Sequence, residues 1–155
     1  MDNSFMKEAI RRAVENVRSG LGGPFGAVVV KQGRVIASGV NRVTSANDPT
    51  AHAEVNAIRE ACRVLGAFQL QGCEIYTSCE PCPMCLGAIY WARPDRVYYA
   101  AGARDAAEAG FDDSFIYEEL RVPHGGRKIP FVQEMRDAGL EPFQEWARKN
   151  DRVRY

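Results

Sequence analysis

The chain reads as an α/β protein of three layers, helix on sheet on helix, and three observations carry that reading. Four short runs rich in apolar and β-branched residues, 27–31, 35–40, 74–78 and 96–101, have the length of strands. Around them lie longer runs whose apolar residues recur at three and four, the period of a helix. The strands open as a hairpin and are then separated by helices, so the sheet is mixed and takes a helix layer on each face. A length of 155 residues suits one domain, and no repeat or low-complexity tract breaks the alternation.

From the N-terminus, residues 5–19 form an amphipathic helix that ends at the glycine-rich Gly20-Leu21-Gly22-Gly23-Pro24. Residues 27–31 make a buried strand, Gln32-Gly33 a turn, and 35–40 the returning strand. Asp48-Pro49-Thr50 opens a helix over 51–65, with Val55, Ile58, Ala61, Cys62 and Leu65 on its apolar face. The strand 74–78 runs into Pro81 and Pro83, which flank the start of a helix over 84–92 that stops before Arg93-Pro94. After the strand 96–101, later helices are predicted at 114–120 and 142–150, with a Pro- and Gly-bearing hinge over 121–130. Residues 1–120 are therefore read as the core, and 121–155 as a hinge and C-terminal segment of the same domain.

Composition excludes more than it selects. Twenty basic residues balance twenty acidic ones, which gives no encouragement to a nucleic-acid partner. No apolar run approaches a membrane span. Five cysteines, an odd number, without a signal-type N-terminus point to a reducing, cytoplasmic compartment rather than a disulfide framework.

Two short phrases carry the chemistry, His52-Ala53-Glu54 and Pro81-Cys82-Pro83-Met84-Cys85. One imidazole and two thiolates are an acceptable three-ligand set for zinc, with the fourth position left to water. His52 and Glu54 are about 200° apart on a helix, so only at its N-terminal tip can both lean toward one point. Cys82 and Cys85 stand at the start of the second helix, where the helix end favours thiolates. Cys79 also forms a C-x-x-C pair with Cys82, but it falls at a strand exit, and the ligand set is read as His52, Cys82 and Cys85. Alone, the cysteine pair could be a redox couple or half a structural zinc knuckle, and His-x-Glu alone carries almost no weight. Glu54 is the unligated carboxylate, suited to passing a proton from water to a leaving amine. Cys62 and Cys73 are read as small packed hydrophobes, and Trp91, Tyr98 and Tyr99 as packing aromatics. Asn41 at a strand end and Phe25 in the glycine-rich loop are candidates to hold and stack a planar base; a turn amide and a core aromatic are the plain readings. Asp112-Asp113 by itself marks a helix start.

The pattern H-x-E…P-C-x-x-C is shared with zinc-dependent nucleobase deaminases. The longer phrases 47–54 and 77–94, with Ala109-Gly110-Phe111-Asp112-Asp113-Ser114-Phe115 and a terminal Tyr155, resemble the bacterial guanine deaminases of the cytidine-deaminase-like superfamily over nearly the whole chain. The resemblance implies a mixed sheet of about five strands, one Zn2+, and hydrolysis of guanine to xanthine and ammonia. It also implies a homodimer whose C-terminal segments are exchanged, with Tyr155 over a pocket and Asp113 as acceptor for guanine's N–H edge or as a second proton relay. The tRNA adenosine deaminases share the Asp-Pro-Thr-Ala-His-Ala-Glu phrase and the Pro-Cys-x-Met-Cys core. Their Lys-Thr-Gly-Ala-Ala-Gly-like stretch is replaced here by residues 105–113, which favours the guanine reading. A purely structural zinc module would have no use for Glu54 and would close its site with a fourth ligand.

Overall fold

Along Cys73–Cys79 every second residue is buried, and this period-two pattern shows that both faces of the strand are covered unequally. The computed structural model describes residues 3–155. Two compact units are present, one running to Asp113 and the other spanning Ser114–Tyr155.

The first unit comprises α1 (Ser4–Arg18), β1 (Gly26–Lys31), β2 (Arg34–Val40), the short α2 (Val43–Ala46), α3 (Ala53–Leu65), β3 (Cys73–Cys79), α4 (Pro83–Ala92), β4 (Arg96–Ala101) and α5 (Ala103–Glu108). The sheet order is β2-β1-β3-β4. β1 pairs antiparallel with both β2 and β3, whereas β3 and β4 run parallel. Gln32 and Gly33 both take positive φ, the backbone of a tight hairpin turn matched to strand twist.

Side chains of β1 separate the two helix layers. Ala27 and Val29 join Ala53, Ala57 and Ala61 of α3, Ile75 of β3, and Ile89 and Ala92 of α4 in one core cluster. Val28 and Val30 turn the other way and pack with Ala9 and Phe5 of α1 and with Tyr76. Helices thus cover both faces, as the alternation of strands and helices implies. The sheet has four strands among the described residues rather than the five implied by resemblance. After β4 the chain continues through α5, and the Gly- and Pro-bearing stretches beyond form 3-10 turns at His124–Gly126 and Ala138–Leu140. Such sequences lack the β-branched runs a further strand needs.

Tyr98 packs as expected, stacked on Tyr76 with ring centroids 4.6 Å apart, whereas Trp91 is 64% exposed and Tyr99 53%, so neither lies in the core. α4 is apolar around its whole circumference, so one inward face cannot absorb all of its large side chains, and Leu86 and Tyr90 also stay exposed.

The second unit contains α6 (Ser114–Arg121) and α7 (Glu141–Arg148), and none of its residues is buried. The stretch read as a hinge is tied to α6: Arg127 Nε donates to the carbonyls of Glu119 and Val122, at 3.2 Å each. Its guanidinium lies 4.9 Å over the Phe131 ring.

Gly39 decides how closely α3 approaches β2. A Cβ there would lie 2.2 Å from the Ala53 carbonyl oxygen and 2.4 Å from the Ala57 nitrogen, both backbone atoms. Gly39→Ala must therefore push the start of α3 off the sheet, at a cost of about 1–3 kcal/mol. The urea midpoint of unfolding should fall accordingly; an unchanged midpoint would show that α3 yields without cost.

Candidate metal centre

Both motif phrases end in the same local structure. The chain before α3 is held by an Asx turn in which Asp48 Oδ1 accepts from the Thr50 nitrogen at 2.8 Å and from its hydroxyl at 2.7 Å. His52 then occupies the N-cap of α3 with extended backbone, φ −73° and ψ 157°, and Glu54 lies in the first turn. Cys82 is the N-cap of α4, at φ −65° and ψ 169°, with Pro83 opening the helix and Cys85 in its first turn. His52 and Cys82 thus stand one residue ahead of the helices rather than within them. An N-cap side chain can point off the helix end, which lets ligands from two helices meet at one spot.

His52 Nδ1 lies 3.5 Å from the Sγ atoms of both Cys82 and Cys85. The three ligand atoms all fall within 4.8 Å of one another. Zinc bonds of about 2.3 Å to sulfur and about 2.0–2.1 Å to nitrogen, set at the tetrahedral angle, place N and S about 3.5 Å apart. The set therefore fits zinc, with Nδ1 as the histidine donor. Cys79 is not part of it; its thiol faces the Gly102 carbonyl at 3.8 Å, and burial pushes its pKa up to about 11.

The electrostatics fit a cation as well. A hydrogen bond from Cys85 holds the Cys82 thiol down to about 4, with His52 assisting. Cys85, the donor in that bond and buried, is pushed far up. His52 is raised, chiefly by its hydrogen bond to Cys82. Two adjacent thiols cannot both ionise cheaply, and a dication is the partner that lets them.

Glu54 is 5% exposed and adjoins this set without belonging to it. Its Oε1 accepts from the Thr77 hydroxyl at 3.0 Å, and its Oε2 faces the Cys85 sulfur at 3.4 Å. Burial raises its pKa, opposed by hydrogen bonds from its own backbone N–H, Thr77 and Cys85. A carboxyl with raised pKa beside a metal site is suited to taking up and returning a proton.

The remaining candidates divide. Asn41 is buried, but its Oδ1 already accepts from the backbone nitrogens of Gly23 and Val43, at 3.2 Å each. Only its amide donors are left for a ligand. Phe25 is half-buried against the core and meets the edge of Phe111 with centroids 5.0 Å apart. Asp113 is raised first by desolvation and next by the charge of Cys82, which puts it within electrostatic reach of the ligand set. Tyr155 belongs to the second unit, where it is exposed.

Two residues escaped the sequence reading. Thr77 sits at an inward position of β3, in the parity of Ile75, and a polar residue in that row was the available signal. Asn16 continues the buried Ala9 and Ala13 row of α1, and its Nδ2 donates to the carbonyls of Gly23 at 2.9 Å and Asn41 at 2.8 Å. The loop carrying Phe25 and the strand end carrying Asn41 are thereby tied to α1.

A three-ligand zinc set with a buried, unligated glutamate, built at two helix caps beside a mixed sheet, defines a zinc-dependent deaminase. Residues 1–101 match the cytidine and deoxycytidylate deaminase zinc-binding region, and the chain belongs to that family. It is 64% identical over 143 residues to the guanine deaminase of Bacillus subtilis strain 168, covering 92% of each chain. The crystal structure of guanine deaminase from Bacillus subtilis superposes with a TM-score of 0.97 at 60% identity, over 100% of this chain and 99% of that one. The tRNA-specific adenosine deaminase of the same strain is 34% identical over 155 residues, 99% of this chain and 95% of that one.

The ligand geometry sets an expected outcome. Cys82→Ala or Cys85→Ala should lose zinc and thermal stability together, whereas Cys79→Ala should keep about one zinc per chain. Elemental analysis that finds zinc retained without Cys85 and lost without Cys79 would reverse the ligand choice.

Proposed function

We propose that this chain hydrolyses guanine, with water, to xanthine and ammonia. The reading is carried by Glu54, held beside the metal set in a chain that follows a guanine deaminase over 92% of its length. His52, Cys82 and Cys85 would hold a zinc ion, which when bound would supply an activated water at neutral pH. Water adds at C2, the carbon that bears the exocyclic amine, forming the new C–O bond. Glu54 accepts one of the water's protons and passes it to the departing nitrogen, so that the C–N bond breaks to neutral ammonia, while the other proton passes to ring N3 as the C2 carbonyl of xanthine forms; proton transfer of this kind contributes about 10²–10⁴-fold. Asn41 donates from Nδ2 to a ring acceptor, Phe25 packs against the base, and Asp113 serves guanine's N–H edge as acceptor or second relay. Leaving such an acceptor unpaired against adenine costs about 1–3 kcal/mol, which favours guanine.

Ammonia release measured across guanine, adenine, cytosine, cytidine and transcribed tRNA tests the substrate. Guanine should react with only mild salt dependence, because no phosphates need neutralising. Inosine formed efficiently in a tRNA anticodon would hand the case to tRNA adenosine deamination.

The working unit in this reading is a cytoplasmic homodimer in which residues 121–155 are exchanged and Tyr155 covers the neighbour's pocket. Support comes from the exposed Leu86, Tyr90 and Trp91 of α4 and the exposed Phe143 and Trp146 of α7, apolar area suited to a partner copy. Among the described residues no helix is long and apolar enough to cross a membrane. Glu54→Gln should keep zinc while losing most turnover, and removing residues 150–155 should keep zinc and fold while weakening turnover. Mixed together, the two variants should recover part of the activity, since one heterodimer site then holds both Glu54 and a tail. No recovery after verified subunit exchange would show that each tail serves its own chain or none.

A further inference from the structure

We propose that Thr77 is a positioning residue for the deamination step: its hydroxyl anchors Oε1 of Glu54 and leaves Oε2 as the oxygen that carries the proton. This rests on Glu54 as the proton shuttle. The geometry is specific. Thr77 lies on β3, paired with Ala27 of the central strand, and is fully buried. Its Oγ1 stands 3.0 Å from Oε1, while Oε2 looks toward Cys85 at 3.4 Å. The two oxygens of one carboxylate therefore have different surroundings, one the sheet and the other the metal ligands.

That difference has a chemical consequence. A threonine hydroxyl has a single proton, and while it is donated to Oε1 that oxygen remains an acceptor. A proton arriving at Oε1 would compete with the Thr77 hydrogen bond for that oxygen and weaken it in a buried site. One arriving at Oε2 leaves it intact, and Oε2 is the oxygen that faces the ligand Cys85, the side on which a bound zinc would supply its activated water. The shuttle accordingly loads and unloads at Oε2 without rotating the carboxylate. Thr77 acts only through Glu54 and is not itself a catalytic group.

Thr77→Val removes the hydroxyl at nearly constant volume, and Thr77→Ser restores it. In the zinc-loaded dimer, Thr77→Val should keep its zinc content, its thermal midpoint and a KM within about twofold of the parent. Its kcat should fall about 10- to 100-fold, the order expected for one hydrogen bond to a charged group. Thr77→Ser should recover most of that loss. In a Glu54→Gln background the Val substitution should have little further effect on the residual rate. Unchanged kcat in Thr77→Val, no rescue by Ser, or a fall that tracks lost zinc or a lowered midpoint would each overturn the proposal. An undiminished effect in the Glu54→Gln background would show that Thr77 does not act through the glutamate, whereas a near-normal rate for Glu54→Gln alone would remove the shuttle itself. Should Val at position 77 fail to fold, Thr77→Cys, a weaker donor, replaces it in the comparison with Ser, and equal kcat for the two would overturn the assignment.

Discussion

Three acids, Cys82, Cys85 and Glu54, gather around His52, and the unit built around them is organised by that crowding. Acids within hydrogen-bonding distance cannot all ionise unless something supplies positive charge. Two sources are built into the chain. The caps of α3 and α4 present the positive ends of two helices, and the ligand set presents a site for a dication. Glu54 remains outside the ligand set, so its basicity is set by burial and hydrogen bonds rather than by ligation.

Bringing two helix ends within ligand distance is a packing problem before it is a chemical one. α3 meets the sheet through Ala53, Ala57 and Ala61, and Gly39 removes the last obstacle on the strand side. Larger residues on either surface would lift α3 and separate His52 from the cysteines, even with every ligand present. A second tie holds the loop and strand end that carry Phe25 and Asn41, where Asn16 bridges the Gly23 and Asn41 carbonyls. Asn41 Oδ1 closes the same loop through Gly23 and Val43. Gly22 belongs to this arrangement, since a Cβ there would stand 2.1 Å from the Asn41 oxygen. Residues with no contact to the metal set thus fix where Phe25 and Asn41 stand.

Legibility in the sequence followed the range of the interactions. The four strands and the ligand helices rest on local periodicity and on Pro, Gly and Asp signals, and they stand in the structure within a residue or two of the expected bounds. The ligand trio was legible because its chemistry is written in residue types at short spacing. Thr77 was not, because its meaning depends on which element lies across from β3, twenty-three positions back along the chain. Asn41 was half legible: a strand-end amide is visible in sequence, but that its oxygen is consumed by two backbone donors is a tertiary fact. Trp91 and Tyr99 stand exposed because hydrophobicity alone does not say which apolar side chains a fold has room to bury. The short α2 and α5 carry too few residues for a helical period to show.

In the reading proposed for this chain, metal chemistry and substrate choice are written in different parts of the molecule. The His-x-Glu and Cys-x-x-Cys phrases lie at helix caps, and a tRNA-specific adenosine deaminase aligns over nearly the whole of this chain at 34% identity. Similarity of that extent marks the reaction class without selecting the base. Selection falls to side chains whose donors and acceptors remain after the fold has used its share. Asn41 keeps its amide donors but not its oxygen. Glu54 commits Oε1 to Thr77 and turns Oε2 to Cys85. Each commitment removes one way a ring could bind or a proton could travel, and the specificity of such a site lies as much in these spent hydrogen bonds as in the free ones.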